Sequence, residues 1–149
     1  MPQGTLSRLT AIHLEDTKGT KEIKGMIEEE RVGKLVLGCA MRVHSQLGPG
    51  LLESAYEACL FYELVKERLS VKRQLKMPVR YGELEIEAGY RLDLLINECV
   101  VIELKAVESC KPLHFAQLLS YLRLGGYRLG YLLNFNVEHM RNGIKRIVN

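Results

Sequence analysis

The chain lacks the sequence features of a membrane protein, a secreted protein and a cysteine-bound metal protein. Its 149 residues contain no run approaching the roughly 20 apolar residues of a membrane-spanning helix, and the first thirty lack the continuous apolar segment of a secretory signal. None of the four cysteines, which are Cys39, Cys59, Cys99 and Cys110, forms a CxxC pair, and all lie among apolar neighbours. We therefore expect a soluble cytoplasmic protein with reduced thiols and no membrane contact.

The composition favours one folded domain preceded by a short extension. A hydrophobic content of 47% in 149 residues is enough to bury a sizeable core in a single domain. Residues 1–25 are polar, include three glycines and show no sustained apolar period, so they are predicted to form a flexible N-terminal extension. Residues 26–149 are then the predicted domain, and they contain no internal repeat.

The apolar spacing predicts helices and strands in a defined order. Apolar residues recur at intervals of three and four over Ile27–Leu47 and over 51–69, which predicts two helices separated by Gly48-Pro49-Gly50. Alternating residues between Val71 and Val107 predict three antiparallel strands. A helix over His114–Leu124 and a strand over 128–135 follow, and the tail from residue 137 could add a short helix. The order αα-βββ-α-β predicts a fold of the α/β (α+β) class.

Three ionisable residues interrupt the most apolar strand region, Arg91 to Val107. They are Asp93, Glu103 and Lys105, in the spacing Asp-x9-Glu-x-Lys. Charges in a segment otherwise suited to burial need a strong partner, and a divalent cation is a strong partner for two carboxylates. This pattern points to metal-dependent cleavage of a phosphodiester. A structural ion pair between Glu103 and Lys105, with Asp93 beside it, is the alternative.

The loop between the two strands decides which side chains share a face. A three-residue loop over residues 97–99 pairs Ile96 with Val100 and places Asp93 opposite Glu103. A two-residue turn would place Asp93 opposite an isoleucine and mix the two faces. We favour the longer loop because it separates a polar face from an apolar one. The polar face carries Arg91, Asp93, Glu103 and Lys105, and the apolar face carries Leu92, Leu94, Ile96, Val100, Ile102, Leu104 and Ala106.

The net charge of +3 is unevenly distributed. Residues 61–80 contain six Lys or Arg and two Glu, and residues 109–149 contain six Lys or Arg and one Glu. Between them, residues 81–108 contain seven acidic and two basic residues. An acidic centre with basic flanks suits a metal site that binds a polyanion, although ordinary solvated faces would also explain it.

Four short motifs resemble those of the PD-(D/E)XK nuclease superfamily. The strand segments 89–93 (GYRLD) and 101–105 (VIELK) look like the strand motifs of its RecB-like branch, and 117–121 (QLLSY) looks like its helical QxxxY motif. The segment 50–56 (GLLESAY) looks like the signature of the GxxExxY family. The resemblance covers Ile27 to Asn149. It implies a restriction-endonuclease-like core, with a mixed four- to five-stranded sheet flanked by helices.

The resemblance also implies a cofactor and a role for each motif residue. Mg²⁺, or alternatively Mn²⁺, prefers oxygen ligands, and Asp93, Glu103 and the backbone carbonyl of Leu104 would supply them. Lys105 would orient the attacking water or the phosphate. The remaining implied site residues are Glu53, as a further metal ligand, and Gln117 with Tyr121, which share one helical face and could contact a phosphate. Glu53 could equally be a favourable charge in a first helical turn, and Gln117 with Tyr121 a polar packing pair.

We expect a Mg²⁺-dependent nuclease that acts on DNA. The alternative is a catalytically inactive nucleic-acid-binding or regulatory protein with the same fold. The sequence contains no base-reading motif, and it leaves open whether the chain forms a homodimer or binds a protein partner. Two further acids near the motifs, Glu98 and Glu108, would be candidates if the register differed.

Overall fold

The computed structural model describes the backbone of residues 4–149 and the side chains of residues 17–149. The described helices are α1 (Gly4–Leu47), α2 (Glu53–Lys66) and α3 (Pro112–Gly125), with a 3-10 helix at Met140–Gly143. The strands are β1 (Val71–Tyr81), β2 (Leu84–Ile96), β3 (Val100–Lys105), β4 (Leu129–Asn134) and β5 (Ile144–Val148). They form one sheet in the order β1-β2-β3-β4-β5, in which only β3 and β4 are parallel. The α+β class and the mixed five-stranded sheet are confirmed.

Two elements differ from the sequence prediction. Helix α1 begins at Gly4 and not near Ile27, and residues 1–3 lie outside the described part of the chain. The tail forms the 3-10 helix and also the edge strand β5, whose Ile144 pairs with Leu133. The chain divides into the units 1–31 and 32–149, so the boundary at residue 25 stays a prediction. No helix in the described residues is long and apolar enough to cross a membrane.

Both faces of the central strands are covered by apolar side chains. A first cluster joins α1 from Val32 onward and α2 to strand residues such as Ile102. A second cluster packs Leu118 of α3 against Val101 and Leu132 on the other face. Because successive residues of a strand point to opposite faces, burial on both sides explains why most residues of β3 and β4 are apolar. The four cysteines are free, and Cys39 is buried in the first cluster.

The face of the sheet to which the side chains of β1 and β2 point changes at Gln74 and Asp93. Leu94 belongs to the first cluster, whereas Leu92 belongs to the second, together with its β1 partner Leu75. Gln74 has a left-handed backbone with φ 50°, which breaks the regular alternation. The prediction that Leu92 shares the face of Leu94 is therefore wrong, because it assumed uninterrupted alternation along β2.

Gly143 marks a close approach between the 3-10 helix and the end of β4. A Cβ at this position would lie 2.0 Å from the carbonyl oxygen of Asn134, a backbone atom that cannot move aside cheaply. We expect Gly143→Ala to lower the free energy of unfolding by about 1–3 kcal/mol through overpacking. Gly38→Ala, within α1, adds a Cβ that meets only the Arg42 side chain at 3.7 Å, and should raise that free energy by up to about 1 kcal/mol. Urea unfolding of both variants measures the difference, and equal stabilities would contradict the expectation.

Candidate active site

The hairpin between β2 and β3 has the three-residue loop expected from the sequence. Ile96 pairs with Val100, and residues 97–99 form the turn. The first two loop residues have φ of 48° and 57°, the left-handed conformation that such a reversal needs. The ladder ends at Leu94 with Ile102, so Asp93 and Glu103 lie just beyond its last backbone pair. The predicted pairing of Ile96 with Val100 is confirmed.

Asp93 and Glu103 each bond to the backbone of the opposite strand. The last residue pair of the β2–β3 ladder is Leu94 with Ile102. Beyond it, the Leu104 N–H donates to Oδ2 of Asp93 at 2.9 Å, and the Asp93 N–H donates to Oε1 of Glu103 at 3.1 Å. Side-chain carboxyl groups thus replace the backbone ladder at this point, and both lie between the two strands.

The carboxyl group of Glu103 lies in a dry environment beside a second acid. Glu103 is only 5% exposed. Burial and the charge of Asp93 raise its pKa to about 8, although the Asp93 N–H and Lys105 oppose the shift. Two neighbouring carboxyl groups cannot both ionise cheaply here, so the metal-free site retains a proton at neutral pH. A divalent cation could take the place of that proton.

Lys105 ends β3 beside the two acids and lines a cleft against α3. Its charge opposes the rise in the pKa of both Glu103 and Glu53, so its ammonium group acts on both acids. The cleft has a volume of about 630 Å³, and Gln117 and Tyr121 line it together with Lys105. Lys105 of the strand motif therefore faces the same space as the two polar residues of the helical motif.

Gln117 and Tyr121 bond to each other on the cleft side of α3. The Gln117 amide donates to the Tyr121 hydroxyl at 2.8 Å. The Tyr121 ring stacks on Tyr90 with the ring centres 4.8 Å apart. Burial and the charge of Glu103 raise the pKa of Tyr121, which shows that the phenol lies within electrostatic reach of the carboxyl pair. The shared helical face predicted for Gln117 and Tyr121 is present.

Glu53 lies at the first position of α2, near the carboxyl pair. Much of its side chain remains exposed, yet partial burial and the charge of Asp93 raise its pKa, and Lys105 opposes the rise. Within residues 17–149, no group of three or more His, Cys, Asp or Glu side chains is arranged as a ready-made metal cage. The role of Glu53 as a further metal ligand stays a prediction.

Tyr56, the last residue of the 50–56 motif, holds the loop that leads into α2. Its buried hydroxyl donates to the Gly48 carbonyl at 2.6 Å and accepts from the Leu51 N–H at 3.1 Å. Its ring stacks on Phe135 at 4.7 Å. These contacts fix the point at which α2 begins and hence the position of Glu53.

Sequence reasoning missed Asn134, which holds the chain just after Lys105. Asn134 is 4% exposed, accepts from the Val107 N–H at 3.1 Å and donates to the Val107 carbonyl at 2.9 Å. It pairs with Lys105 across the parallel strands. A single asparagine at the end of an apolar strand gives no motif, so its partner is visible only in three dimensions.

Sequence reasoning also missed Glu57, Arg73 and Gln74, which form a polar network beside Asp93. Arg73 pairs with Glu57 at 3.1 Å, and the Gln74 amide donates to both Glu57 and Asp93. Glu57 follows Glu53 by one helical turn, and this spacing could have identified it as an acid on the same face. No local pattern pointed to Gln74.

The other two acids near the motifs lie elsewhere. Glu98 pairs with Lys72 at 2.7 Å in the hairpin loop. Glu108 lines a separate cavity of about 210 Å³ with Cys110 and Lys145. Neither displaces Asp93 or Glu103 from the site.

The residues present suit a hard divalent cation. Mg²⁺ is usually bound by only one or two carboxylates together with substrate phosphates, and not by a complete protein cage. Asp93 and Glu103 supply two carboxyl groups, and burial together with the charge of Asp93 raises the pKa of Glu103. The Leu104 N–H points toward β2. Because the N–H and the carbonyl of one strand residue point to the same side, the Leu104 carbonyl oxygen also points toward β2.

Residues 30–147 match the sequence model of the PD-(D/E)XK nuclease superfamily, and the chain belongs to that superfamily. The order of its elements and its mixed five-stranded sheet are those of a restriction-endonuclease-like fold. Members of the superfamily are usually nucleases, and they generally use divalent metal ions. Comparison with curated proteins and with solved structures gave no significant match.

Proposed function

We propose that this protein is a Mg²⁺-dependent nuclease that hydrolyses phosphodiester bonds of DNA. We further propose that it belongs to the GxxExxY family, within the RecB-like branch, and that it acts in the cytoplasm. The observation that carries the proposal is the pair formed by half-buried Asp93 and buried Glu103 beside Lys105, in which each carboxyl group accepts a backbone N–H from the opposite strand. A structural ion pair between Glu103 and Lys105 would not require a second carboxyl group beside Glu103.

The metal ligands in this proposal come from the hairpin and from α2. Asp93, Glu103 and the carbonyl of Leu104 would hold Mg²⁺ or Mn²⁺, and Glu53 would add a fourth oxygen. Such an ion would supply a lowered pKa for a water molecule and would offset charge that develops on the phosphate. Because Leu104 donates to Asp93 from the adjacent strand, the orientation of that carboxylate is set before a cation arrives.

Lys105 and the two α3 residues act on the substrate side of the site. Lys105 donates a hydrogen bond to the scissile phosphate or to the attacking water. Gln117 donates to a neighbouring phosphate, since its amide is exposed at the cleft. Tyr121 holds that amide in place through its hydroxyl.

Basic residues outside the site hold the DNA backbone. In the first basic flank, four side chains already pair with carboxylates, namely Lys66, Lys72, Arg73 and Arg80. In the second flank, Lys111, Arg123 and Arg141 are exposed. The C-terminal flank therefore supports the proposal more strongly. Such contacts position a nucleic acid without reading its sequence.

A cleavage assay tests the proposed activity. Labelled single- and double-stranded DNA and RNA are incubated with Mg²⁺ or Mn²⁺, with EDTA as the blank. We expect metal-dependent cleavage of DNA, and a rate about 10²–10³-fold lower for Lys105→Ala because one donor to the developing charge is lost. Lys34→Ala, which removes an exposed lysine of α1, should cleave at the wild-type rate.

The same assay separates the proposal from its alternatives. Absence of products from all four substrates with either metal would contradict it, and would favour a nucleic-acid-binding or regulatory role for the same fold. Cleavage of RNA alone would retain the chemistry and overturn the choice of DNA.

A further inference from the structure

Gln74 lies between a buried acid of α2 and Asp93. Its Nε2 donates to a carboxylate oxygen of Glu57 in a short hydrogen bond, and the same nitrogen lies 3.5 Å from Oδ1 of Asp93. The other oxygen of Asp93, Oδ2, accepts from the Leu104 N–H. Both oxygens of Asp93 thus face a donor, one from β1 and one from β3.

The acid that anchors the Gln74 amide is itself held firmly. Glu57 is 9% exposed, and its second oxygen accepts from Nη2 of Arg73 at 3.1 Å. The guanidinium of Arg73 also lies over the Phe61 ring, 4.7 Å from its centre. Because a buried carboxylate needs a partner for its charge, this ion pair fixes Glu57 in one place. Glu57 is therefore a rigid support for the amide.

The backbone of Gln74 is constrained in favour of this contact. Its φ of 50° lies in the left-handed region, which residues other than glycine, asparagine and aspartate rarely adopt. Gln74 lies between the pairs Arg73–Leu94 and Leu75–Leu92, where the side chains of β1 and β2 change face. A residue held in such a conformation implies surroundings that determine it, and strain of this kind is concentrated near functional sites.

We propose that Gln74 is a positioning residue for Asp93, with Glu57 and Arg73 as its fixed support. The amide orients the Asp93 carboxylate from the β1 side, as the Leu104 N–H does from the β3 side. This inference rests on the proposed function, because it requires Asp93 to be a ligand of the cation. Partners that orient a metal ligand typically alter metal affinity by about 10–100-fold when they are removed.

Manganese binding to the full chain tests the proposal without measuring activity. Free Mn²⁺ is followed by electron paramagnetic resonance while it is titrated into the protein. Gln74→Gly removes the amide and suits the left-handed backbone, so the dissociation constant should rise about 10-fold or more while the melting temperature stays equal or increases. Lys76→Ala, an exposed change on the same strand, should leave both values unchanged.

A second variant, Gln74→Asn, tests the positioning role, and the wild type and Asp93→Ala test the proposed function separately. Gln74→Asn also tolerates φ near 50° but has a shorter reach, and it should weaken Mn²⁺ binding as the glycine variant does. Wild-type affinity in both Gln74 variants would overturn the positioning role and leave the proposed function intact. If the wild type does not bind Mn²⁺, or if Asp93→Ala binds it equally well, the proposed function fails together with this inference.

Discussion

Replacement of Asp93 by alanine is expected to lower metal-dependent DNA cleavage by at least about 10³-fold. The carboxylate is one of two acids between β2 and β3, and a metal ion held there is worth several kcal/mol of transition-state stabilisation, of which about 1.4 kcal/mol corresponds to a factor of ten. The same change leaves the Leu104 N–H without its carboxylate acceptor, which should cost about 1–3 kcal/mol of stability. Cleavage rates and urea unfolding curves measure the two effects separately.

Glu108→Ala provides a matched control for the loss of an acid. Glu108 is exposed, follows β3 by only a few residues and lines a different cavity. We expect its cleavage rate to stay within about twofold of wild type, because surface changes away from special features have small effects. If Asp93→Ala retained cleavage within tenfold of wild type, the carboxyl pair would not be the catalytic centre.

Replacement of Glu103 by glutamine should abolish cleavage and also remove a pH dependence of stability. In the metal-free folded protein, Glu103 keeps its proton up to about pH 8, because burial and Asp93 raise its pKa, whereas in the unfolded chain it ionises near its usual 4.5. Between these values the folded state binds more protons than the unfolded state, so stability falls as pH rises from about 4.5 to 8. Glu103→Gln removes this loss, and the variant should be the more stable protein above pH 8 by as much as several kcal/mol.

Calorimetric melting at pH 5, 7 and 9 in EDTA measures the difference. The melting temperatures of wild type and Glu103→Gln should be close at pH 5 and diverge as the pH increases. Saturating Mg²⁺ should remove most of the divergence in the wild type, because the cation replaces the proton. Glu108→Gln, whose carboxyl group is exposed, should follow the wild-type curve. Parallel curves for Glu103→Gln and wild type would show that Glu103 titrates normally.

Much of the architecture around the site could be predicted from local spacing. The three-residue hairpin loop followed from the requirement that apolar residues share a face, and it fixed the pairing of Ile96 with Val100. The spacing of four between Gln117 and Tyr121 placed both on one side of α3, where they form a hydrogen bond. Each of these inferences depends only on residues close together in the chain.

Local spacing failed where the chain departs from regular geometry. The left-handed Gln74 changes the inward face of β1 and β2, and this moved Leu92 into the cluster packed against α3. The short tail gave too few residues for a period to be recognised, so β5 was missed. In both cases the deciding contacts come from residues far apart in the sequence.

The sequence by itself determined the pairing of Ile96 with Val100 across a three-residue loop and the position of Lys105 two residues after Glu103 on the same strand. It did so because side-chain direction in a strand follows a fixed period of two residues. Only the tertiary structure decided that Glu103 is dry enough to keep a proton near pH 8 and that Gln74 and Glu57 reach Asp93. Desolvation and contacts between elements depend on how helices pack on the sheet, and no local period encodes them.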